Sequence, residues 1–139
     1  MNEWSARRSR FADVTYALLR FVAGALFTCH GVQKLFGGLG GHVAEGALMK
    51  FGGIVEFAGG ILMAVGLFTS WAAFFASGMM AVAYFMAHAP QDFFPIINKG
   101  ELAVVYAFLF LFICAYGGGT YSLDAAMRRA RVAAAPAPA

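Results

Sequence analysis

Residues 57–87 carry no charged side chain, and this stretch limits the possible folds more than any other feature of the sequence. As one α-helix it would be roughly 46 Å long at ~1.5 Å per residue, which overshoots the ~30 Å hydrocarbon core of a bilayer. It therefore fits two membrane helices better than one. We predict a turn at Thr69-Ser70, with Gly66 ahead of it and Trp71 at the membrane interface.

The composition supports a membrane location for the whole chain. Of the 139 residues, 61% are hydrophobic and only 12% are charged, which is more apolar surface than a soluble domain of this size can bury. Long apolar windows predict four spans, at residues 16–36, 51–68, 71–88 and 101–116. The predicted fold is all-α, a transmembrane four-helix bundle that is surrounded by the lipid bilayer.

Three segments follow from this pattern. Residues 1–15 are predicted to be a cytoplasmic N-terminal segment and residues 16–124 the membrane domain. Residues 125–139 are predicted to be a basic stretch followed by an Ala/Pro-rich tail, which is expected to be disordered from Ala133 onward. Within the membrane domain, the glycine-rich residues 37–42 predict an irregular or re-entrant loop.

Six of the seven arginines lie near the two ends of the chain and indicate its orientation. They occur as Arg7, Arg8 and Arg10 and again as Arg128, Arg129 and Arg131. With an even number of spans, the positive-inside rule places both termini in the cytoplasm. Charges flanking membrane spans are typical of headgroup contacts, so nucleic acid is not expected as a partner.

The polar residues of the predicted spans gather near the opposite membrane face. His30, Gln33 and Lys34 share one side of the first helix close to its end. Glu56 lies about one and a half turns into the second helix, and His88 ends the third. Since an ionisable group in hydrocarbon needs a partner or an aqueous cavity, these residues are expected to approach one another.

Glu56 is the most informative of these residues. Gly52, Gly60 and Ala64 flank it at four-residue intervals, so its carboxylate lies on a stripe of small residues that favours close helix packing. With His30 or Lys34 as its partner, Glu56 can relay protons or hold a polar ligand. A purely structural salt bridge between the first two helices explains the same pattern equally well.

His30, Lys34 and Glu56 are therefore the candidate catalytic residues, and Gln33 and His88 are candidates for cofactor binding. His30 and His88, without a cysteine or histidine cluster at ligand spacing, do not predict a metal site. The phenylalanine-rich spans have room for a quinone ring or an acyl tail.

Arg20 is the one arginine inside a predicted span. It lies near the cytoplasmic end of the first helix, where it can extend its side chain to the headgroups or pair with Asp13. We expect it to have a structural role.

Two motifs resemble the DoxX family of membrane proteins. His30-Gly31-Val32-Gln33-Lys34-Leu35-Phe36-Gly37 ends the first predicted helix, and Glu56-Phe57-Ala58-Gly59-Gly60 lies in the second. The resemblance covers roughly residues 20–124 and implies four membrane helices.

The family is named for subunits of a thiosulfate:quinone oxidoreductase. The resemblance therefore implies a bacterial inner-membrane protein that serves as the membrane subunit of a redox assembly linked to quinone or thiol and sulfur chemistry. The corresponding expectations are protein partners in a redox complex and a subunit of a quinone-linked oxidoreductase that need not itself be catalytic. The small-residue stripes also predict a homo-oligomer. The alternative is a membrane scaffold or small-solute carrier without electron transfer.

Overall fold

Every regular element of the described chain is helical. The structure is a computed structural model that describes the backbone of residues 3–135 and the side chains of residues 7–135. The helices are α1 (Glu3–Phe36), α2 (Ala47–Val65), α3 (Thr69–Ala83, continued by a π-helical turn over Tyr84–His88), α4 (Pro95–Asn98), α5 (Glu101–Tyr116) and α6 (Leu123–Ala134). The all-α prediction is confirmed for the described residues.

Three helical segments are long and apolar enough to cross a bilayer. They are Arg7–Phe36, Ala47–Val65 and Thr69–His88, and each contains or largely overlaps a predicted span. The fourth predicted span is the apolar helix α5, which has 16 residues and is shorter than the other three. Their outward surfaces suit lipid, since large side chains such as Trp71 and Phe108 are more than two-thirds exposed.

The turn between α2 and α3 lies earlier than the sequence indicates. Gly66 adopts a left-handed conformation and its N–H donates to the carbonyls of Leu62 and Met63, which ends α2. The predicted turn residue Thr69 is instead the first residue of α3. The prediction of a turn at Thr69-Ser70 is therefore wrong by about three residues, because a distant carboxylate caps α3 at Thr69, as described below.

Helices α1 and α2 form a closely packed antiparallel pair. Gly24 faces Gly60 and Ala64, while Gly31 faces Phe57 nearer the start of α2. A Cβ atom on Gly60 would lie 2.6 Å from the carbonyl oxygen of Gly24, so only glycine allows this separation of the two backbones. The small-residue stripe of α2 therefore packs within the chain.

Helices α3 and α5 form a second antiparallel pair that completes the core. The Ser77 hydroxyl on α3 donates to the Ala107 carbonyl on α5 at 2.7 Å. Phe27 of α1 stacks edge-on against Phe110 of α5, with ring centroids 4.7 Å apart, and both side chains are fully buried. The two pairs thus share one core.

This arrangement gives the molecule two ends. We call one of them the loop end, because it lies beside the irregular residues 37–46. It contains the end of α1, the start of α2, the π-helical turn and the start of α5. At the opposite end, which we call the turn end, lie residues 66–68, the α5–α6 linker 117–122 and the start of α6. The predicted irregular loop at residues 37–42 is thus without helix or strand, and Ala44 ties it to α1 by donating to the Lys34 carbonyl at 2.7 Å.

The basic C-terminal stretch forms a helix that the sequence does not reveal. In α6, the Ser122 side chain accepts a hydrogen bond from the N–H of Ala125 and so caps the first turn. Ala133 and Ala134, expected to begin the disordered tail, are its last residues. Residues 136–139 of that tail lie outside the described part of the chain.

Candidate functional site

A buried ion pair joins α1 and α2 at the loop end. The ammonium of Lys34 donates to Glu56 Oε1 at 2.5 Å. The Glu56 side chain is 5% exposed and that of Lys34 is 31% exposed, so the carboxylate lies inside the helix pair and the ammonium near its surface. Of the two partners that the sequence offers for Glu56, the structure selects Lys34.

Glycines on both helices make this contact possible. A Cβ atom on Gly53 would come within 3.1 Å of the Lys34 Cβ, and one on Gly31 within 2.4 Å of the Phe57 nitrogen. Because both positions lack side chains, the α1 and α2 backbones approach closely. The flexible Lys34 side chain starts opposite Gly53 and extends along α2 by about one turn to reach Glu56. The buried face of α2 consists of Glu56, three glycines and Met63.

The second oxygen of this carboxylate is unusual. Glu56 Oε2 is buried and has no hydrogen-bond partner among the described residues. A buried acceptor left unpaired costs about 1–3 kcal/mol, and such groups in native proteins commonly mark a functional or solvent-bridged position. Oε2 can therefore take one further hydrogen-bond donor while Oε1 keeps the Lys34 contact.

His30 and Gln33, the other two candidates on α1, do not contact the carboxylate. His30 is exposed on the surface of α1, although it precedes Lys34 by one turn. The Gln33 amide donates to the Leu39 carbonyl at 3.1 Å, and its side chain packs against Gly41. Gln33 thus holds the irregular loop, and His30 is left outside the ion pair.

His88 belongs to a separate cluster on the α3–α5 side of the loop end. Its Nδ1 lies 3.1 Å from the Asn98 carbonyl oxygen, and its ring stacks on Tyr84. The Asn98 amide in turn donates to the Asp92 carbonyl at 2.6 Å, while its oxygen accepts from the Gly100 N–H at 2.7 Å. These bonds lock the segment between α3 and α5 and give His88 a structural setting.

A second polar network, at the turn end, was not predicted from the sequence. Arg20 is 2% exposed, and its guanidinium donates to the carbonyls of Met63, Ala64 at 2.9 Å and Tyr121 at 2.8 Å. The expected structural role fits these contacts. Among the described residues Arg20 forms no ion pair with Asp13, so that expected pairing is wrong. Arg20 instead caps the C-terminal end of α2, where the helix dipole favours a cation.

Asp124 completes this network from the first turn of α6. Its carboxylate accepts from the N–H of Phe68 at 2.9 Å, the N–H of Thr69 at 3.0 Å and the Thr69 hydroxyl at 2.8 Å. Burial raises the pKa of Asp124, but these hydrogen bonds and nearby Arg128 outweigh burial and hold the pKa below its ordinary value of 3.8. Local sequence could not reveal this cap, because Asp124 lies 55 residues beyond Thr69.

Neither end has an arrangement that would hold a metal ion. No three histidine, cysteine, aspartate or glutamate side chains come together within the described part of the chain. Cys29 and Cys114 are both free thiols.

Comparisons with known proteins identify relatives of the chain. The family model described as DoxX matches residues 15–89, which includes both motifs noted in the sequence. An uncharacterized protein of Haemophilus influenzae is 41% identical over 116 residues, covering 78% of this chain and 87% of its own length. No solved structure matches the chain significantly.

Proposed function

The chain belongs to the DoxX family, and we propose that it is the membrane subunit of a quinone-linked redox assembly in which Glu56 moves protons. The observation that carries this proposal is the Glu56 carboxylate, which is buried between two apolar helices. Lys34 binds one of its oxygens, and the other has no hydrogen-bond partner in the described part of the chain. An intramembrane carboxylate of this kind is the usual element of a proton relay.

Reduction of a quinone to a quinol consumes two electrons and two protons. In the proposed assembly a protein partner supplies the electrons, and this chain delivers protons at Glu56 Oε2. Lys34 supports the charged carboxylate between deliveries through its contact with Oε1. Because the Lys34 side chain is partly exposed, it connects the buried carboxylate to the loop-end surface, from which protons can reach the pair.

The proposed setting is a bacterial inner membrane with four spans, formed by α1, α2, α3 with its π-helical turn, and α5. The arginines before and after these spans favour cytoplasmic termini, and hence a cytoplasmic turn end. The Lys34–Glu56 pair then lies toward the opposite leaflet. α5 is the shortest span. A short span fits the membrane when the bilayer thins locally or when its flanking residues extend their side chains to the interface.

The direct test is Glu56→Gln, which keeps the shape of the side chain and removes its charge. In membranes that contain the protein with its partners, the rate of quinone reduction should fall about 100-fold, the usual contribution of a positioned proton-transfer group. The matched control is Glu45→Gln, an exposed glutamate in the loop-end segment, which should leave the rate unchanged. An unchanged rate in folded Glu56→Gln protein contradicts the proposal.

A second candidate, a membrane scaffold or small-solute carrier, is favoured by the glycines beside the ion pair. Gly31 and Gly53 bring α1 and α2 together at this point, as a structural salt bridge would require. If the chain is a scaffold, Glu56→Gln should lower thermal stability, and the double variant Lys34→Met/Glu56→Gln should regain part of the loss. The rate of quinone reduction should stay unchanged in both variants. A carrier instead loses solute uptake.

A further inference from the structure

An open groove runs along the α1–α2 pair at the turn end, away from the Lys34–Glu56 site. Its volume is about 390 Å³, and its walls are apolar except where Arg20 and Tyr121 border it. Leu18 and Phe21 on the α1 wall are more than half exposed, so the groove opens toward the surface that faces lipid. Such a shape accommodates a hydrocarbon chain.

Among the residues whose side chains are described, no anion lies within ion-pairing distance of the cation beside this groove. The guanidinium of Arg20 donates to the neutral carbonyl oxygens of Met63, Ala64 and Tyr121. Its Nε is buried and has no partner among the described residues. Asp124 acts on this charge only from beyond ion-pairing distance, and its carboxylate is already bonded to Phe68 and Thr69. A buried cation without a nearby anion is costly in a low-dielectric surrounding.

The depth of Arg20 suits a phospholipid headgroup. Fourteen residues separate it from Lys34 on α1, about 21 Å along a helix with a rise of 1.5 Å per residue. The Arg20 side chain then extends toward the turn end, where its guanidinium contacts Ala64 at the end of α2 and Tyr121 in the α5–α6 linker, on the side of the membrane opposite to Lys34. Arg7 and Arg10 continue α1 beyond it and attract anionic lipid to the same face.

From these observations we propose that the groove is a binding site for one anionic glycerophospholipid. The acyl chain lies against Leu18, Phe21 and Val65, and a phosphodiester oxygen accepts a hydrogen bond from Arg20 Nε after a small opening of the groove exposes this atom. Arg20 is suited to this role because its planar fork can hold α2 with its terminal nitrogens and still offer Nε to a phosphate oxygen. The site is independent of the proposed redox function.

Ala17→Phe tests this site without altering Arg20. Ala17 lines the groove, and a phenyl ring there fills the space that the acyl chain would occupy. After purification in mild detergent, native mass spectrometry should find one bound phospholipid on the unaltered protein. Occupancy should fall about tenfold or more in Ala17→Phe, because an overfilled site costs at least this much in affinity. Ala115→Phe is the matched control, an exposed alanine at the end of α5 outside the groove, and should keep the lipid.

Thermal unfolding of the delipidated protein identifies the part of the lipid that is recognised. Phosphatidylglycerol should raise Tm of the unaltered protein and of Ala115→Phe but not of Ala17→Phe. Diacylglycerol with the same acyl chains and inorganic phosphate alone should each leave Tm unchanged. Equal occupancy in Ala17→Phe and the unaltered protein overturns the proposal. A Tm shift with diacylglycerol equal to that with phosphatidylglycerol also overturns it, because the phosphate would then have no role. An equal Tm shift with inorganic phosphate overturns it as well, because the acyl chains would then have no role.

Discussion

The glycines of these helices differ in how much space surrounds them, that is, in whether a side chain at the same position would collide with a neighbouring helix. At Gly60 a Cβ atom would lie 2.4 Å from the Thr28 hydroxyl and 2.6 Å from the Gly24 carbonyl oxygen, so the contact leaves no room for a methyl group. A Cβ atom on Gly78 of α3 would have no described atom within 4 Å beyond the neighbouring backbone of its own helix. The first glycine sets the distance between α1 and α2, whereas the second has no packing role within the chain.

This contrast predicts opposite outcomes for the same substitution. Gly60→Ala should lower the free energy of unfolding by about 1–3 kcal/mol, because the helices must separate to admit the methyl group. Gly78→Ala should leave stability unchanged or raise it slightly, since alanine is the better helix former. Thermal unfolding in one detergent compares the two, and equal losses of Tm would contradict the assigned packing.

The candidate site illustrates what single residues reveal from sequence. Lys34 and Glu56 could be nominated because charged side chains in an apolar span must find partners, and the four-residue spacing of small residues gave the face of α2. The role of Arg20 could not be derived in the same way. Its acceptors are backbone carbonyls, which every residue carries and which leave no mark in the sequence.

At the scale of elements, the junction between α3 and α6 depends on one carboxylate. Asp124 accepts from the first N–H groups of α3, and its own N–H donates to the Gly66 carbonyl at 2.9 Å. It therefore caps α3, contacts the turn that ends α2 and fixes the start of α6. Helix α6 carries three arginines on a surface that is otherwise apolar, as in helices that lie along a membrane interface.

Acid should weaken this junction. Because the pKa of Asp124 is lowered on folding, its contribution is fully present above the ordinary value of 3.8 and is lost as pH falls through the lower folded pKa. Asp124→Asn should lower Tm near neutral pH, by the loss of about 0.5–2 kcal/mol that is typical of a helix cap. The difference in Tm between the unaltered protein and Asp124→Asn should shrink below pH 3.8. A constant difference down to low pH would mean that the carboxylate charge does not contribute.

Element types were predictable here and element ends less so. Apolar windows longer than a buried strand indicate membrane helices, and each predicted window is largely helical in the structure. The turn before α3 moved by about three residues because Asp124, distant in sequence, determines where α3 begins. The helix α6 was missed because its arginines and alanines lack the long apolar pattern of the other helices.

At the scale of the whole molecule, polar groups are divided between two ends. Lys34, Glu56 and the His88 cluster lie at the loop end, whereas Arg20 and Asp124 lie at the turn end beside α6. The sides of the helices between them are apolar and exposed. This division suits a bilayer-spanning bundle, with one site toward each leaflet.

Single-cysteine labelling tests this arrangement most directly. In a background with Cys29→Ser and Cys114→Ser, Ala130→Cys reports on α6 and His42→Cys on the irregular loop, and both positions are exposed. In the proposed orientation, a membrane-impermeant maleimide that reaches only the outer face of the membrane should label His42→Cys, and should label Ala130→Cys only after the membrane is broken. Labelling of both positions from the same side would contradict a bundle whose two polar ends lie at opposite faces of the membrane.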